Sequence, residues 1–288
     1  MGTREGISLS PCELEQMVKA VRALLARGQS FEAICAGGDP QVKVSARTLY
    51  RYAEAGIFGL ANIDLPRKVR YKPRRKAPRT DRPVDRDGRS YSDFLDLDDE
   101  VRAGAVQMDT VIGLRTDFKC ILTLHFPKTR FQLHVLLDGR TCECVIGVFD
   151  WIESVIGPDA FGEHFGTILT DRGIEFGDFE SLERSCTGNR RRCRIYYCDA
   201  MASHQKGACE KNHVELRRIL PKRTSFEGLD PYKMALVSSH VNGYPRRSLG
   251  GKSPYSLAAR ELPKALLDEL GVGYVAPEDV TLKPSLVK

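Results

Sequence analysis

No run of about eighteen apolar residues occurs in the 288-residue sequence, which excludes a membrane-spanning helix. The first thirty residues carry Glu5, Glu13 and Glu15 and lack a compact apolar stretch ending in a small-residue cleavage site, so a secretory signal is not expected. Cysteine is present in an odd number, nine, and without an export signal these residues read as reduced thiols, mostly small core residues, rather than a disulfide framework. Internal repeats and low-complexity tracts are also missing. What remains is an ordinary globular composition, 42% hydrophobic and 28% charged, long enough for two domains and expected to stay in the cytoplasm.

Charge is distributed unevenly. Between Arg67 and Arg89 eleven Lys or Arg face only Asp81, Asp85 and Asp87, a local net of +8 within a chain whose total is +6, so everything else sums to −2. Pro66, Pro73, Pro78 and Pro83 interrupt the same stretch, which reads as an extended basic linker able to lie along a phosphate backbone. Arg67, Lys68, Arg70, Lys72, Arg74, Arg75 and Lys76 are its candidate DNA contacts. The expected division is a helical unit over 1–60, the linker over 61–100, a mixed α/β domain over 101–262 and a tail over 263–288.

Ser10-Pro11-Cys12-Glu13 combines a capping serine, a proline at the first helical position and a glutamate three residues after the cap. Leu14, Met17, Val18, Val21, Leu24 and Leu25 then recur at helical spacing until Gly28. Further helices are expected at about 30–35 and 45–55. In the last of these Ala46, Leu49, Tyr50 and Ala53 share a face, leaving Arg47, Thr48 and Arg51 where a recognition helix would meet base edges and phosphates. The break between the second and third helices is longer than a standard helix-turn-helix allows, so the unit is only like one.

Beyond residue 99 three β-rich runs, 105–113, 118–126 and 130–137, predict an antiparallel meander. A helix over 141–156, a short strand over 166–170, a helix over 179–184, a strand over 193–198 and helices over 206–220 and 231–240 complete a five-stranded mixed sheet flanked by helices. Three acids stand out. Asp109 lies in an apolar strand, where a carboxylate is costly unless paired or metal-bound. Asp171 closes the fourth strand, a position that commonly hosts active sites, and Glu210 lies on a helix. Carboxylate oxygens suit Mg²⁺, and two such ions can serve in-line displacement at phosphorus. Spacing alone does not single these three out from 38 acidic residues.

Longer strings do. Met108-Asp109-Thr110-Val111-Ile112-Gly113, Leu169-Thr170-Asp171-Arg172-Gly173-Ile174-Glu175-Phe176, and Ser203-His204-Gln205-Lys206-Gly207-Ala208-Cys209-Glu210-Lys211-Asn212-His213 together resemble the DDE transposases of the insertion-sequence-thirty family. The likeness continues through 216–226 and 241–254, is strongest from about 105 to 258 and is weaker over 14–75. It implies a ribonuclease-H-like core, with Asp109, Asp171 and Glu210 as catalytic residues holding two Mg²⁺ or Mn²⁺ ions. The substrate implied is double-stranded DNA, the element's terminal inverted repeats and a target, cut to free a 3′ hydroxyl that attacks the target. No Ser or Tyr nucleophile is required. A homo-oligomer on DNA follows from the need to cut two ends, and the resemblance further implies a nucleoid-associated protein of a prokaryote.

Departures from the family pattern are Gln107 and His204, each at a position where an aromatic residue is common. Longer members carry an additional N-terminal helix-turn-helix, which a chain starting just before the Leu14 helix is expected to lack. The alternative function is a DNA-binding repressor derived from a transposase, silent in catalysis. Arg184, Arg190, Arg191, Arg192 and Arg194, with Lys206, Arg217, Arg218, Lys222 and Arg223, are read as cations admitting DNA. Glu175 and Asp199 are acids outside the triad. A zinc site from Cys193, Cys198, His204 and Cys209 is disfavoured, because Cys193 and Cys198, five apart on a strand, point to opposite faces. Cys209 and His213, one turn apart, lack an orienting third group for a hydrolase.

Overall fold

The computed structural model describes residues 9–59, 65–66, 88–200 and 202–288; at 203–204 and 207–212 it describes the backbone alone. The linker residues Arg67, Lys68, Arg70, Lys72, Arg74, Arg75 and Lys76 lie outside the described residues.

The helical unit comprises α1 (Pro11–Ala26), α2 (Phe31–Gly37) and α3 (Ala46–Glu54). Its first cap is the box expected: the Ser10 hydroxyl accepts from the Glu13 amide at 3.3 Å, and Glu13 Oε2 accepts from the Ser10 amide at 3.1 Å. Ser30 and Ser45 cap the other two helices by accepting from the Ala33 and Thr48 amides, without a reciprocal acidic partner. Met17, Val21, Phe31, Ile34, Leu49, Tyr52 and Phe58 form their shared core. Tyr52 rather than Tyr50 is the buried tyrosine of α3, because it stands three residues after Leu49 and falls on the same face.

Two short helices not expected from the sequence, α4 (Tyr91–Leu95) and α5 (Asp99–Gly104), lead into the α/β part. There β1 (Val106–Ile112), β2 (Cys120–Phe126) and β3 (Phe131–Leu137) form the expected meander, followed by α6 (Cys142–Ile156), α7 (Pro158–Phe165), β4 (Thr167–Thr170), α8 (Phe179–Glu183) and β5 (Arg194–Tyr197). The helices α9 (Gly207–Ile219), α10 (Pro231–Gly243), α11 (Pro254–Ala258) and α12 (Lys264–Glu269) follow. The sheet order is β3-β2-β1-β4-β5, with β1, β2 and β3 antiparallel and β4 and β5 parallel to β1. This five-stranded mixed sheet with flanking helices is consistent with the ribonuclease-H-like core that the resemblance implies.

Alternation sorts the strands between two cores. Val106, Met108, Leu122, Leu124 and Leu133 pack with Val145, Phe149 and Ile152 of α6 and Phe161 and Phe165 of α7. On the other face Val111 and Ile121 meet Leu216 and Ile219 of α9 and Met234 and Val237 of α10. Asp109, one position out of phase with Met108, belongs to this second face, beneath α9.

Two histidines on that face are held neutral. Burial, then the neighbouring His213 and Arg246, push His125 down to about 3, and burial does the same to His134. In the unfolded chain each ring takes a proton near an ordinary value of about 6.5. Their contribution to stability is therefore complete above that pH and declines as pH falls toward 3, by about 2 kcal/mol per ring at about pH 5. Urea denaturation should show a lower midpoint at pH 5 than at pH 7; equal midpoints would contradict neutral burial.

The C-terminal residues are structural. Leu266, Leu267 and Val272 enter the first core and Val280 and Leu282 the second. They also tie the helical unit to the α/β part: Gln29 Nε2 donates to the carbonyls of Pro277 at 2.7 Å and Val280 at 3.0 Å, and the Leu282 amide donates to the Arg27 carbonyl at 2.9 Å. Gly28 is required at this joint, since its φ is +84° and a Cβ would lie 2.8 Å from the Leu282 carbonyl oxygen. Gln29→Ala leaves two carbonyls without their donor and should cost about 1–3 kcal/mol, read as a fall in the denaturation midpoint.

Among the described residues no helix is long and apolar enough to cross a membrane.

Candidate active site

The register of β1 and β4 brings two of the three acids together. Val106 pairs with Ile168 and Gln107 with Leu169 in parallel, and the Thr170 hydroxyl donates to the Met108 carbonyl at 3.1 Å. Two residues beyond the Gln107–Leu169 pair on each strand come Asp109 and Asp171, level and on the same face. Asp109 Oδ1 accepts from the Thr110 amide at 2.9 Å, and Asp171 Oδ1 accepts from the Gly173 amide at 2.9 Å, which turns the chain away from the sheet. Asp109 is largely enclosed, whereas half of the Asp171 side chain faces solvent.

Both carboxylates converge on one cation, the ammonium of Lys206. Its Nζ lies 3.5 Å from Asp109 Oδ1 and 3.3 Å from Asp171 Oδ2, and donates to the Met108 carbonyl at 3.1 Å. Lys206 is 4% exposed. Burial pushes the Asp109 carboxyl up, Lys206 pulls it down, and the like charge of Asp171 pushes it up again; the net direction is upward.

Beyond Lys206 the chain enters α9, which carries Glu210 as its fourth residue. The side chain of Glu210 lies outside the described residues. Its backbone position is three residues before His213. His213 Nδ1 lies 3.8 Å from Asp109 Oδ2, and its Nε2 shares a 3.0 Å hydrogen bond with the Thr123 hydroxyl, which in turn donates to the Asp109 carbonyl oxygen at 3.0 Å. Burial, then Lys206 and Arg217, push His213 down to about 4, so the ring beside Asp109 is neutral.

A buried glutamate with an exposed arginine partner braces the site from the other side. Glu175, fully enclosed, accepts from the Thr110 hydroxyl at 2.5 Å and from Arg140 Nε at 2.7 Å. Thr110 follows Asp109 on β1 and Glu175 follows the Asp171 turn, so their hydrogen bond ties the strand to that turn. Gly173 permits this approach: a Cβ there would stand 2.7 Å from Glu175 Oε2 and 3.1 Å from Asp171 Oδ1. Arg140 and His213 carry no local pattern that marks them. Only the packing of the loop after β3 and of α9 brings them in.

The other expected site residues are dispersed. Arg47 and Arg51 are exposed on α3, and Thr48 shares a hydrogen bond with the capping Ser45 hydroxyl at 3.1 Å. Arg47 lines a groove with Arg247, Gly250 and Gly251 of the α/β part. Arg217 is half-buried, donating to the Ile112 carbonyl at 2.9 Å over the Phe226 ring. Arg192 is not at the surface, contrary to its reading as a DNA-admitting cation. It is buried between Phe149 and Phe161, 2.6 Å from Asp150 Oδ1 and 3.1 Å from Glu153 Oε2.

Among the described residues, Asp150, Glu153 and Cys186 are the one group of three whose donor atoms lie within 4.8 Å of one another, as a metal would need. The Arg192 guanidinium already supplies the cation there. Cys193 and Cys198 fall in separate cores on opposite sides of β5, with burial pushing each thiol to about 12, so they do not join as zinc ligands.

Fold and site define a class: α/β proteins whose carboxylates, on adjacent parallel strands, converge on one cation. No family model matches the chain. Its curated relatives are named as insertion-sequence transposases. The probable transposase of element IS1161 from Streptococcus salivarius is 26% identical over 216 residues, 74% of this chain and 58% of the relative. The transposase of IS1086 from Cupriavidus metallidurans is 24% identical over 230 residues, 77% of this chain and 64% of the relative. The transposase InsI of IS30A from Escherichia coli K12 is 25% identical over 172 residues, 57% of this chain and 40% of the relative. The chain thus spans less than two thirds of the length of each.

Proposed function

We propose that this chain is a DDE transposase that cuts DNA at the ends of a mobile element and transfers the freed 3′ hydroxyl to target DNA. The observation carrying this reading is the meeting of Asp109 and Asp171 on one cation beneath the helix that bears Glu210. Their donor set is carboxylate oxygen held about one cation, which fits Mg²⁺ or Mn²⁺. Asp109, Asp171 and Glu210 would hold the ions. When bound, such ions activate an attacking oxygen and offset the charge developing at phosphorus and on the departing oxygen.

The chain's own residues supply position and charge. Thr110 and Gly173 amides fix the two aspartates, the neutral His213 orients Asp109 without competing for a cation, and Glu175, paired with Arg140, ties β1 to the Asp171 turn. Arg47 and Arg51, the Arg67–Lys76 segment and Arg217 would contact the duplex. Coordinated cutting of two ends calls for at least two copies.

The test is incubation of the purified chain with a DNA fragment bearing the inverted repeats that flank its gene, with and without Mn²⁺ or Mg²⁺. Metal-dependent nicking at the repeat ends is expected. Binding without nicking would instead favour the repressor.

A further inference from the structure

We propose that Lys206 is an internal stand-in for the metal, a positioning residue that holds Asp109 and Asp171 together in the metal-free protein and gives way when a divalent ion enters. The inference rests on the metal-site reading above and deepens it.

Three observations carry it. The Lys206 ammonium occupies the point at which both carboxylates converge, within 3.5 Å of each, so an ion ligated by both would need that point. The two carboxylates lie close enough to share one ammonium, and like charges held that near in a partly enclosed site repel. A cation between them relieves that repulsion. Lysine suits a temporary role, because its ammonium sits on a four-carbon stem that swings by rotamer changes while the backbone stays. The half-exposed Asp171 marks the open side toward which it can leave.

Entry of a divalent ion is then an exchange of cations, and the threshold for metal is set by how firmly the ammonium is held. Besides the two carboxylates it is anchored by the Met108 carbonyl, on the strand that carries Asp109.

The test uses the DNA-free full chain and Mn²⁺, with free ion counted by electron paramagnetic resonance. Lys206→Gln should bind Mn²⁺ at least about tenfold more tightly than the unaltered protein, since a competing unit charge has been removed. Lys206→Arg, which keeps the charge, should remain as weak as the unaltered protein. If the unaltered protein binds Mn²⁺ and Lys206→Gln binds no more tightly, the lysine inference falls and the metal site stands. If neither binds at millimolar Mn²⁺, both fall. A readout independent of variants is acylation of Lys206 by an N-hydroxysuccinimide ester, followed by mass spectrometry. Labelling should rise when Mn²⁺ is added, and labelling indifferent to Mn²⁺ would overturn the exchange.

Discussion

Asp109→Asn is expected to abolish metal-dependent nicking, by about 10³-fold or more, while leaving DNA binding within a few-fold of the unaltered protein. The amide keeps the size of the side chain and an oxygen for the Thr110 amide, so β1 and its pairing with β2 should survive. What is lost is one anionic donor on the cation. Stabilisation of several kcal/mol by a bound ion, at about 1.4 kcal/mol per tenfold, accounts for the size of the loss. On the proposed function Asp171→Asn and Glu210→Gln should behave alike, because each would remove a charge from the proposed metal-binding set. Nicking assays on end-bearing DNA, paired with gel-shift binding, decide the matter. An Asp109→Asn protein that still nicks at more than a tenth of the normal rate would remove Asp109 from the chemistry.

Stability should respond most to Arg192→Met. Arg192 and Glu153 are both fully buried, and the guanidinium also reaches Asp150. Burial alone would raise the Glu153 carboxyl, but hydrogen bonds from Ser185, the Cys186 amide and Arg192 hold it below its ordinary range. Removing the cation leaves the buried Glu153 carboxylate without its ion-pair partner, which should cost about 3–5 kcal/mol in urea denaturation. The double variant Arg192→Met with Glu153→Leu should recover much of that loss, because an apolar pair of similar volume replaces an ion pair without leaving a charge stranded. Failure of the double variant to recover would place the damage in packing rather than charge.

The Arg192 case also shows where one-dimensional reading fails. In the sequence it stands in a run of arginines before β5 and is indistinguishable from Arg190 or Arg191. The fold separates them: Arg190 pairs with Asp159 at the surface, while Arg192 is buried against Asp150 and Glu153 of α6. Lys206 is the same problem in reverse. Read along the chain it is one of several cations near Glu210. In space it is the partner of two carboxylates from neighbouring strands that lie some sixty residues apart in the chain.

Short helices were illegible for a different reason. Segments such as α4 and α11 have five residues each, too few to display a period, and their serine caps, Ser90 and Ser253, are common in turns as well. Residues 264–282 offered no chemistry to read, yet they seal both cores and the joint at Gly28, because apolar side chains at irregular spacing reveal their partner only once it is present.

Local physics was enough for the rest. Alternation marked the three strands of the meander, the Ser10 box marked the start of α1, and an aspartate stranded in an apolar strand marked Asp109 as a residue in need of a cation. These depend on neighbours within a few positions, and so they are written in the sequence itself. That Asp109 and Asp171 stand level, and that the cation between them is Lys206, follow instead from a parallel pairing of β1 with β4 and the placement of α9 across them. Such pairing joins residues some sixty positions apart, and no local pattern encodes it; only the burial of both sheet faces selects it.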